Sequence, residues 1–304
     1  MTEAGGASSA EPAGTPKREG AAALRRFLRR PDGVAGLGIV SSVAVVGLLA
    51  GRLTSVDPLA MAHPTFVRPS RRFPMGTDAV GRDVFSRVAN GIATSLTVVV
   101  SVMVIVTVLG VTLGALAGYR GGVVDSIVMR LVDMVQAIPD FLLAIVVVAL
   151  LGAGYDKLIL LLGLTSWTFL ARIVRAEVLS LKRREFVESA RSLGASNLRI
   201  LLRHVLPNGV PAVVVVLPIL ASRLVLIEAG LSFLGLGDPE NVSLGLLISE
   251  AQPHLRYYWW LSVFPGVVLV GLVLGLNLAG EALNEVLNPT GGARERRKVD
   301  VATT

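Results

Sequence analysis

The chain has no cysteine, only three histidines and few charged residues. Without cysteine it has neither disulfide bonds nor thiolate chemistry, although this absence does not identify a compartment. His63, His204 and His254 are far apart in the sequence, and no His-Glu-x-x-His pattern occurs. The phosphate-binding pattern Gly-x-x-x-x-Gly-Lys-Ser/Thr is also missing. We therefore expect no catalytic residues, no metal site and no bound cofactor in this chain.

Charge is scarce and apolar residues abound. Charged residues make up 17% of the 304 residues, hydrophobic residues make up 53%, and the mean hydropathy is +0.67. A soluble protein of this size cannot carry so much apolar surface with so few charges. Since a membrane crossing needs about 20 apolar residues, we predict an all-α membrane protein with six transmembrane helices. The predicted spans are 34–51, 93–118, 131–152, 157–174, 210–234 and 258–280.

The distribution of basic residues predicts the orientation. The net charge of +7 comes from segments that flank the apolar runs, which fits membrane orientation better than nucleic-acid binding. With the N-terminus in the cytoplasm, 20 of the 29 Lys and Arg residues lie inside and 8 lie outside. Both termini are therefore predicted to be cytoplasmic. The 52–92 loop carries more arginine than an outside loop should. No cleavage pattern follows the first apolar segment, so we expect a retained anchor.

Residues 185–207 form a charged, amphipathic stretch between two apolar segments. Phe186, Ala190 and Leu193 recur at helical spacing, and Gly194 is expected to end that helix. A second helical stripe is expected to end at Pro207, because proline disfavours helical conformation in the preceding residue. The second stripe consists of Leu198, Leu201, Leu202 and Val205. The pattern predicts a helix–turn–helix; the alternatives are a docking surface and an ordinary loop on the membrane surface.

The same stretch resembles the EAA loop of ABC importer permeases. That loop has Glu-x-Ala, a glycine four residues after the alanine, and Leu-Pro twelve residues after the glycine. Glu188, Ala190, Gly194, Leu206 and Pro207 match these positions, whereas His204 departs from the isoleucine that is common there. The resemblance implies that these residues, with Ser189, couple the permease to its ATPase.

Further stretches resemble the C-type subunit of the dipeptide, oligopeptide and nickel branch of these permeases. The sequence Gly-Thr-Asp-Ala-Val-Gly-Arg-Asp at 76–83 and the sequence Gly-Leu-Ser-Phe-Leu-Gly-Leu-Gly at 230–237 match that branch. Small departures at 239–240 and 243–245, and asparagines at 284 and 288, leave the substrate class open. The resemblance to this branch extends from about residue 24 to residue 290.

The resemblance implies the ABC importer type I permease fold with cytoplasmic coupling helices. It implies a multi-pass subunit of the inner or plasma membrane that imports peptides, or alternatively nickel. The implied partners are a homologous B-type permease, two ATP-binding subunits that hold ATP and magnesium, an extracytoplasmic substrate-binding protein and membrane lipid. No nucleic acid is implied. The expected divisions are a cytoplasmic tail (1–33, with 1–20 disordered), a first span with its outside loop (34–92), a core transmembrane domain (93–282) and a cytoplasmic tail (283–304).

Four polar residues fall within or at the edge of predicted spans: Asp133, Arg223, Glu228 and Asn277. A charge near the bilayer centre is costly, so such residues face a partner, a cavity or the interface. They are candidates for the translocation path or for a contact with another subunit; the alternatives are structural pairs or a span boundary that lies a few residues away. Because Arg223 and Glu228 are five residues apart, we expect each to contact another helix. Pro139 and Pro218 are expected to kink or weaken their helices.

Two other patterns predict local structure. Glycines four residues apart at Gly110, Gly114 and Gly118 predict close helix packing, and the pairs 47/51 and 271/275 repeat the spacing. Asp78 or Asp83 is expected to cap a helix or to pair with an arginine, rather than to bind a metal.

Two rival functions remain from other classes. An ion-driven secondary transporter would use Asp133 or Glu228 as a titrating residue, and a membrane scaffold would transport nothing. The missing phosphate-binding pattern leaves ATP hydrolysis, if transport is ATP-driven, to another polypeptide.

Overall fold

A computed structural model describes residues 24–54 and 57–287. The expected disordered segment 1–20 and most of the expected C-terminal tail, 288–304, lie outside the described residues.

Within the described residues the chain is helical, and its β-structure there is a single bridge between Thr77 and Asp83. The helices in chain order are α1 (Pro31–Leu48), α2 (Ala50–Leu53), α3 (Val84–Arg120), α4 (Gly122–Gln136), α5 (Asp140–Leu151), α6 (Tyr155–Leu181), α7 (Glu185–Ser192), α8 (Asn197–Ile200), a π-helix (Leu201–Val205), α9 (Leu206–Phe233), α10 (Leu244–Ala251), a 3₁₀ turn (Gln252–His254) and α11 (Trp260–Leu287).

Among the described residues, five helices and one bent helix pair make up to six crossings. α1, α3, α6, the continuous helix Asn197–Phe233 and α11 are each long and apolar enough to span a membrane. α4 and α5 satisfy the same criterion only as a pair, and the helix axis bends by 76° between them. The predicted six-span, all-helical fold is confirmed, and so is the weakened helix predicted at Pro139, although the chain there breaks into two helices. Pro139 explains the break, because it disfavours helical conformation in Ile138 and offers no backbone donor.

The six crossings are joined by five connections, two at one end of the molecule and three at the other. We call the end that carries residues 185–205 the loop end, and the other the opposite end. The start of α1 also lies at the loop end, where Arg30 forms an ion pair with Glu285 near the end of α11. The described chain therefore begins and finishes at the same end as the 185–205 loop, as the predicted topology requires.

Glycines bring α3 and α6 together as a parallel pair. Gly110 faces Leu170, Gly114 faces Ala171 and Gly118 faces Arg175 and Val178; a methyl group on Gly114 would come within 2.5 Å of the carbonyl oxygen of Ala171. Such close approach is the expected use of small residues four apart in a membrane. The predicted packing at these three glycines is confirmed.

The other glycine pairs behave less uniformly. Gly275 packs against Gly36 and Val40 of α1, and Gly47 packs against Ile92, whereas nothing lies within 4 Å of a side-chain position at Gly51. A side chain at Gly271 would only touch Ile39, at 3.7 Å. Of these four glycines, two are therefore closely packed, one is in loose contact and one is in no contact.

An ion-pair cluster fixes the loop before α3 at the opposite end. Asp83 caps α3 by accepting a hydrogen bond from the Ser86 N–H at 2.8 Å. Asp78 pairs with Arg82 at 2.6 Å and with Arg87 at 3.0 Å, and both arginines also reach Glu250 in α10. The capping and pairing predicted for the two aspartates are confirmed, and the cluster ties the 57–83 connection to α10.

Candidate functional site

The loop of residues 185–205 begins with the two-turn helix α7. The Gly194 N–H donates to the carbonyl of Arg191 at 2.9 Å, and the Ala195 N–H donates to the carbonyl of Ala190 at 3.1 Å. These two bonds form a Schellman motif, which needs a left-handed residue after the helix. Gly194 supplies it with φ +81°. The spacing between Ala190 and Gly194 is therefore the spacing of a helix end, as the sequence predicts.

The second half of the loop differs from the prediction at its end. Ser196 caps α8 through the Arg199 N–H, and the chain then passes through the π-helix into α9 without stopping. The expectation that Pro207 ends this helix is wrong. Pro207 lies in the first turn of α9, where a missing N–H costs little if the preceding turn is widened. The π-turn Leu201–Val205 provides that widening.

Three apolar side chains anchor the loop in the core. Val187, Ile200 and Val205 are fully buried in the main hydrophobic cluster. The loop is also tied to the end of α3, where the Tyr119 hydroxyl donates to Asn197 at 3.2 Å. These contacts join the loop to the ends of the spans.

A second apolar face of the loop is left exposed. Leu193, Leu198 and Leu202 are 88%, 65% and 54% exposed. The side chains of Glu188 and Ser189 are also exposed, as is Pro207, whereas Ala190 and Leu206 are half-buried. The predicted stripes are thus divided: Val205 faces the core, while three leucines point away from it.

Glu228 lies inside the molecule near the opposite end. Its side chain is fully buried, and its carboxylate accepts hydrogen bonds from Ser95 in α3 and Ser232 in α9, both at 2.9 Å. Ser95 Oγ also lies 3.5 Å from the Leu244 N–H at the start of α10. The carboxylate therefore joins α9 to α3, and the Ser95 hydroxyl links both to the start of α10. Glu228 thus contacts another helix, as predicted, but it does not face an open cavity.

Asn277 likewise bridges two helices. Its Oδ1 accepts from Ser222 in α9 at 3.1 Å, and its Nδ2 donates to the Val273 carbonyl within α11 at 3.0 Å. Both of its polar groups are satisfied by protein, which fits a structural contact between α9 and α11.

Asp133 and Arg223, in contrast, belong to two partly exposed ion pairs that join α4 to α6 and α5 to α9. Asp133 pairs with Arg172 at 2.6 Å, and 68% of its side chain is exposed. Arg223 lies 3.8 Å from Asp140 and is 57% exposed. Gln136 donates to Thr168 between these two pairs, at 3.0 Å. Arg223 therefore pairs with a residue of another helix, as predicted.

Sequence reasoning missed several partners. Asp140 directly follows Pro139 and starts a helix, which is a recognisable N-terminal position for an acid. Arg172 and Arg175 were placed at or beyond the end of the predicted 157–174 span, but α6 continues to Leu181 and both pair with acids of α4. Among the described residues, no cluster of three or more His, Asp or Glu could hold a metal ion.

Comparison with known proteins identifies the family. Residues 110–290 match the model of the binding-protein-dependent transport system inner membrane component. The chain is 33% identical over 269 residues to the oligopeptide transport system permease protein OppC of Bacillus subtilis (strain 168), covering 88% of each chain. It is 41% identical over 222 residues to the glutathione transport system permease protein GsiD of Escherichia coli O157:H7, covering 73% of each. It is 38% identical over 273 residues to OppC of Escherichia coli (strain K12), covering 88% of this chain and 90% of that one.

A solved structure supports the fold independently. The MetNI methionine ABC transporter, in an inward-facing conformation, matches with a TM-score of 0.56 at 21% identity, over 66% of this chain and 96% of the matched chain. At that identity the likeness concerns the fold alone. The helical architecture, the EAA-type loop and the family match together show that this chain is a multi-pass membrane protein belonging to the family of binding-protein-dependent transport system inner membrane components.

Proposed function

We propose that this chain is a permease subunit of an ATP-driven importer of short peptides. The observation that carries the proposal is the 185–205 loop, in which Ala190 and Gly194 match the EAA pattern in sequence and form a Schellman turn. The relatives named for oligopeptides and glutathione favour peptides over nickel as the substrate class.

The loop is the proposed docking site for two ATP-binding subunits, which hold ATP and magnesium and carry out hydrolysis. Its exposed leucines, Leu193, Leu198 and Leu202, are suited to a hydrophobic contact with a partner. Its buried side, through Val187, Ile200 and Val205, is suited to passing a displacement of the partner into the spans. Glu188 and Ser189 lie at the exposed surface of α7, where they would contact the ATPase directly.

The translocation path is proposed to run between this chain and a homologous B-type permease. The partly exposed ion pairs of Asp133 and Arg223 support this, because charges at membrane depth are costly against lipid and are expected against water or protein. Glu228 and Asn277 would instead hold helices in place as the path opens alternately to each side. An extracytoplasmic binding protein would deliver the substrate at the opposite end.

The orientation belongs to the proposal as well. The loop end would be cytoplasmic, as would both termini, because an ATPase is reached from the cytoplasm and the basic residues are biased to that side.

Uptake by intact cells tests this function. In a strain lacking this chain, uptake of radiolabelled Ala-Ala should fall to background and should return when the chain is supplied from a plasmid. Uptake of ⁶³Ni²⁺ in the same cells should be unchanged. Loss of nickel uptake with normal Ala-Ala uptake would establish the nickel alternative, and uptake that survives ATP depletion but collapses with the ion gradient would establish a secondary transporter.

A further inference from the structure

A polar cavity opens where α4 ends and α5 begins. Its volume is about 360 Å³, which is within the range of small-molecule sites in proteins. The polar groups that line it come from four helices or their ends: Gln136, Asp140, Thr165, Ser166, Thr168 and Arg223.

Arg223 and Asp140 give this cavity its charge. Their closest side-chain atoms, Nη2 of Arg223 and Oδ2 of Asp140, are 3.8 Å apart. That distance is too long for a hydrogen bond. The guanidinium is 57% exposed and the carboxylate 31% exposed. Arg223 therefore keeps donors that Asp140 does not use.

The depth of the cavity excludes lipid as its surroundings. Arg223 lies ten residues before the end of α9, about 15 Å along the helix axis. A charge this far inside a spanning helix is strongly disfavoured against hydrocarbon. The broken backbone between Gln136 and Asp140 leads to the same conclusion, because irregular backbone at membrane depth occurs only where it is buried in protein or lines an aqueous cavity.

We propose that Arg223 binds the C-terminal carboxylate of a peptide on its way across the membrane, with Asp140 as the counter-ion of Arg223 when the cavity is empty. The planar guanidinium binds a carboxylate through two parallel hydrogen bonds. The hydroxyls of Thr165 and Ser166 and the amide of Gln136 supply further donors and acceptors for a peptide backbone. Every substrate peptide with a free end carries this carboxylate, so the contact is independent of side-chain sequence. The inference rests on the proposed peptide-import function.

Two labelled probes test it in the complete transporter reconstituted in proteoliposomes, with the binding protein at saturating concentration. The probes are Ala-Ala and its amide, Ala-Ala-NH₂, which lacks the carboxylate. If the binding protein prefers one probe to the other, that preference affects the ratio of the two uptake rates equally in all variants. We expect Arg223→Gln to lower Ala-Ala uptake at least tenfold and to leave amide uptake within twofold, so that the ratio of the two rates collapses.

Matched variants separate recognition from structure. Asp140→Asn frees the guanidinium and should keep or increase Ala-Ala uptake, whereas an ion pair with only a structural role would lose uptake of both probes in either variant. Arg172→Gln, in the neighbouring pair with Asp133, should change both probes by the same factor. Arg223→Lys keeps the charge but lacks the planar fork, and should lower only Ala-Ala uptake.

The outcomes decide the inference separately from the proposed function. If the wild-type complex imports neither probe, the peptide function fails. If it imports Ala-Ala but Arg223→Gln leaves the ratio of the two rates unchanged, only the role of Arg223 is overturned. Failure of both Arg223→Gln and Arg223→Lys to assemble into the complex would show that the residue is structural and would also overturn it.

Discussion

Gly194 is the residue on which the geometry of the 185–205 loop most depends. Its φ of +81° is unfavourable for side chains branched at Cβ, and no atom lies within 4 Å of the position that a Cβ would take. A substitution there strains the backbone without creating a clash. The effect should therefore be confined to the turn and should leave insertion in the membrane intact.

We expect Gly194→Val to uncouple hydrolysis from transport. The reconstituted complex should keep hydrolysing ATP while peptide uptake falls at least tenfold, because the Schellman turn that orients α7 against α8 is lost. Gly194→Asn is the matched control, since asparagine tolerates the left-handed region, and it should keep most of the uptake. Wild-type uptake in the valine variant would contradict the coupling role of this turn.

We expect substitution of Glu228 to lower the stability of the protein, because its role is to accept hydrogen bonds between buried helices. Glu228→Ala leaves the hydroxyls of Ser95 and Ser232 without their buried acceptor, which is expected to cost about 1–3 kcal/mol. Thermal unfolding of the purified chain in detergent should show a lower Tm. Thr97→Ala is the control, because that exposed hydroxyl bonds only to the Ala93 carbonyl of its own helix. An unchanged Tm for Glu228→Ala would show that the buried network contributes little.

At the scale of elements, the exposed leucines of the 185–205 loop should bind the ATPase. Replacing Leu198 and Leu202 together with aspartate places charge on a face that is predicted to be apolar in the complex. The ATP-binding subunits should then co-purify with this chain at a level at least tenfold lower. Leu59→Asp, at a similarly exposed leucine of the opposite end, should leave co-purification unchanged. Equal loss with both substitutions would indicate a general effect on folding.

The helices could be predicted from the sequence because spans are recognised by apolar length alone. Six crossings, the glycine contacts of α3 and the turn at Gly194 all follow from local patterns. The angle between α4 and α5 could not be predicted, because Pro139 reveals that a helix is weakened but not whether it bends or stops. Pro207 shows the reverse case, in which a π-turn retains the helix.

The polar residues of the candidate site could be predicted from the sequence, but the residues with which they pair could not. The cost of a charge at membrane depth predicts that Arg223 and Glu228 have partners. Which residues those partners are depends on which helices pack together. Of the two serines that bond to Glu228, Ser95 is far away in the sequence and Ser232 is unremarkable there. Asp140 becomes a partner of Arg223 only through the break in the third crossing.

At the scale of the whole molecule, the orientation gives a direct prediction. A reporter active only in the cytoplasm should be active when fused after Thr304 and inactive when inserted near Val67. The physical reason is the excess of basic residues at the loop end, which favours the cytoplasm. Val67 lies in the 57–83 connection, at the opposite end. Activity near Val67 instead would show that the arginines of 52–92 determine the orientation, and would place the 185–205 loop outside.

Reconstitution in liposomes with single components omitted tests the central claim most directly. Purified chain alone should neither hydrolyse ATP nor accumulate labelled Ala-Ala. The chain with the ATP-binding subunits but without the second permease should also fail, because the path is proposed to form between two permeases. Uptake should appear only when both permeases, the ATP-binding subunits and the binding protein are present with ATP. Accumulation of Ala-Ala by this chain and the ATP-binding subunits without the second permease would contradict the account and show a homodimeric path.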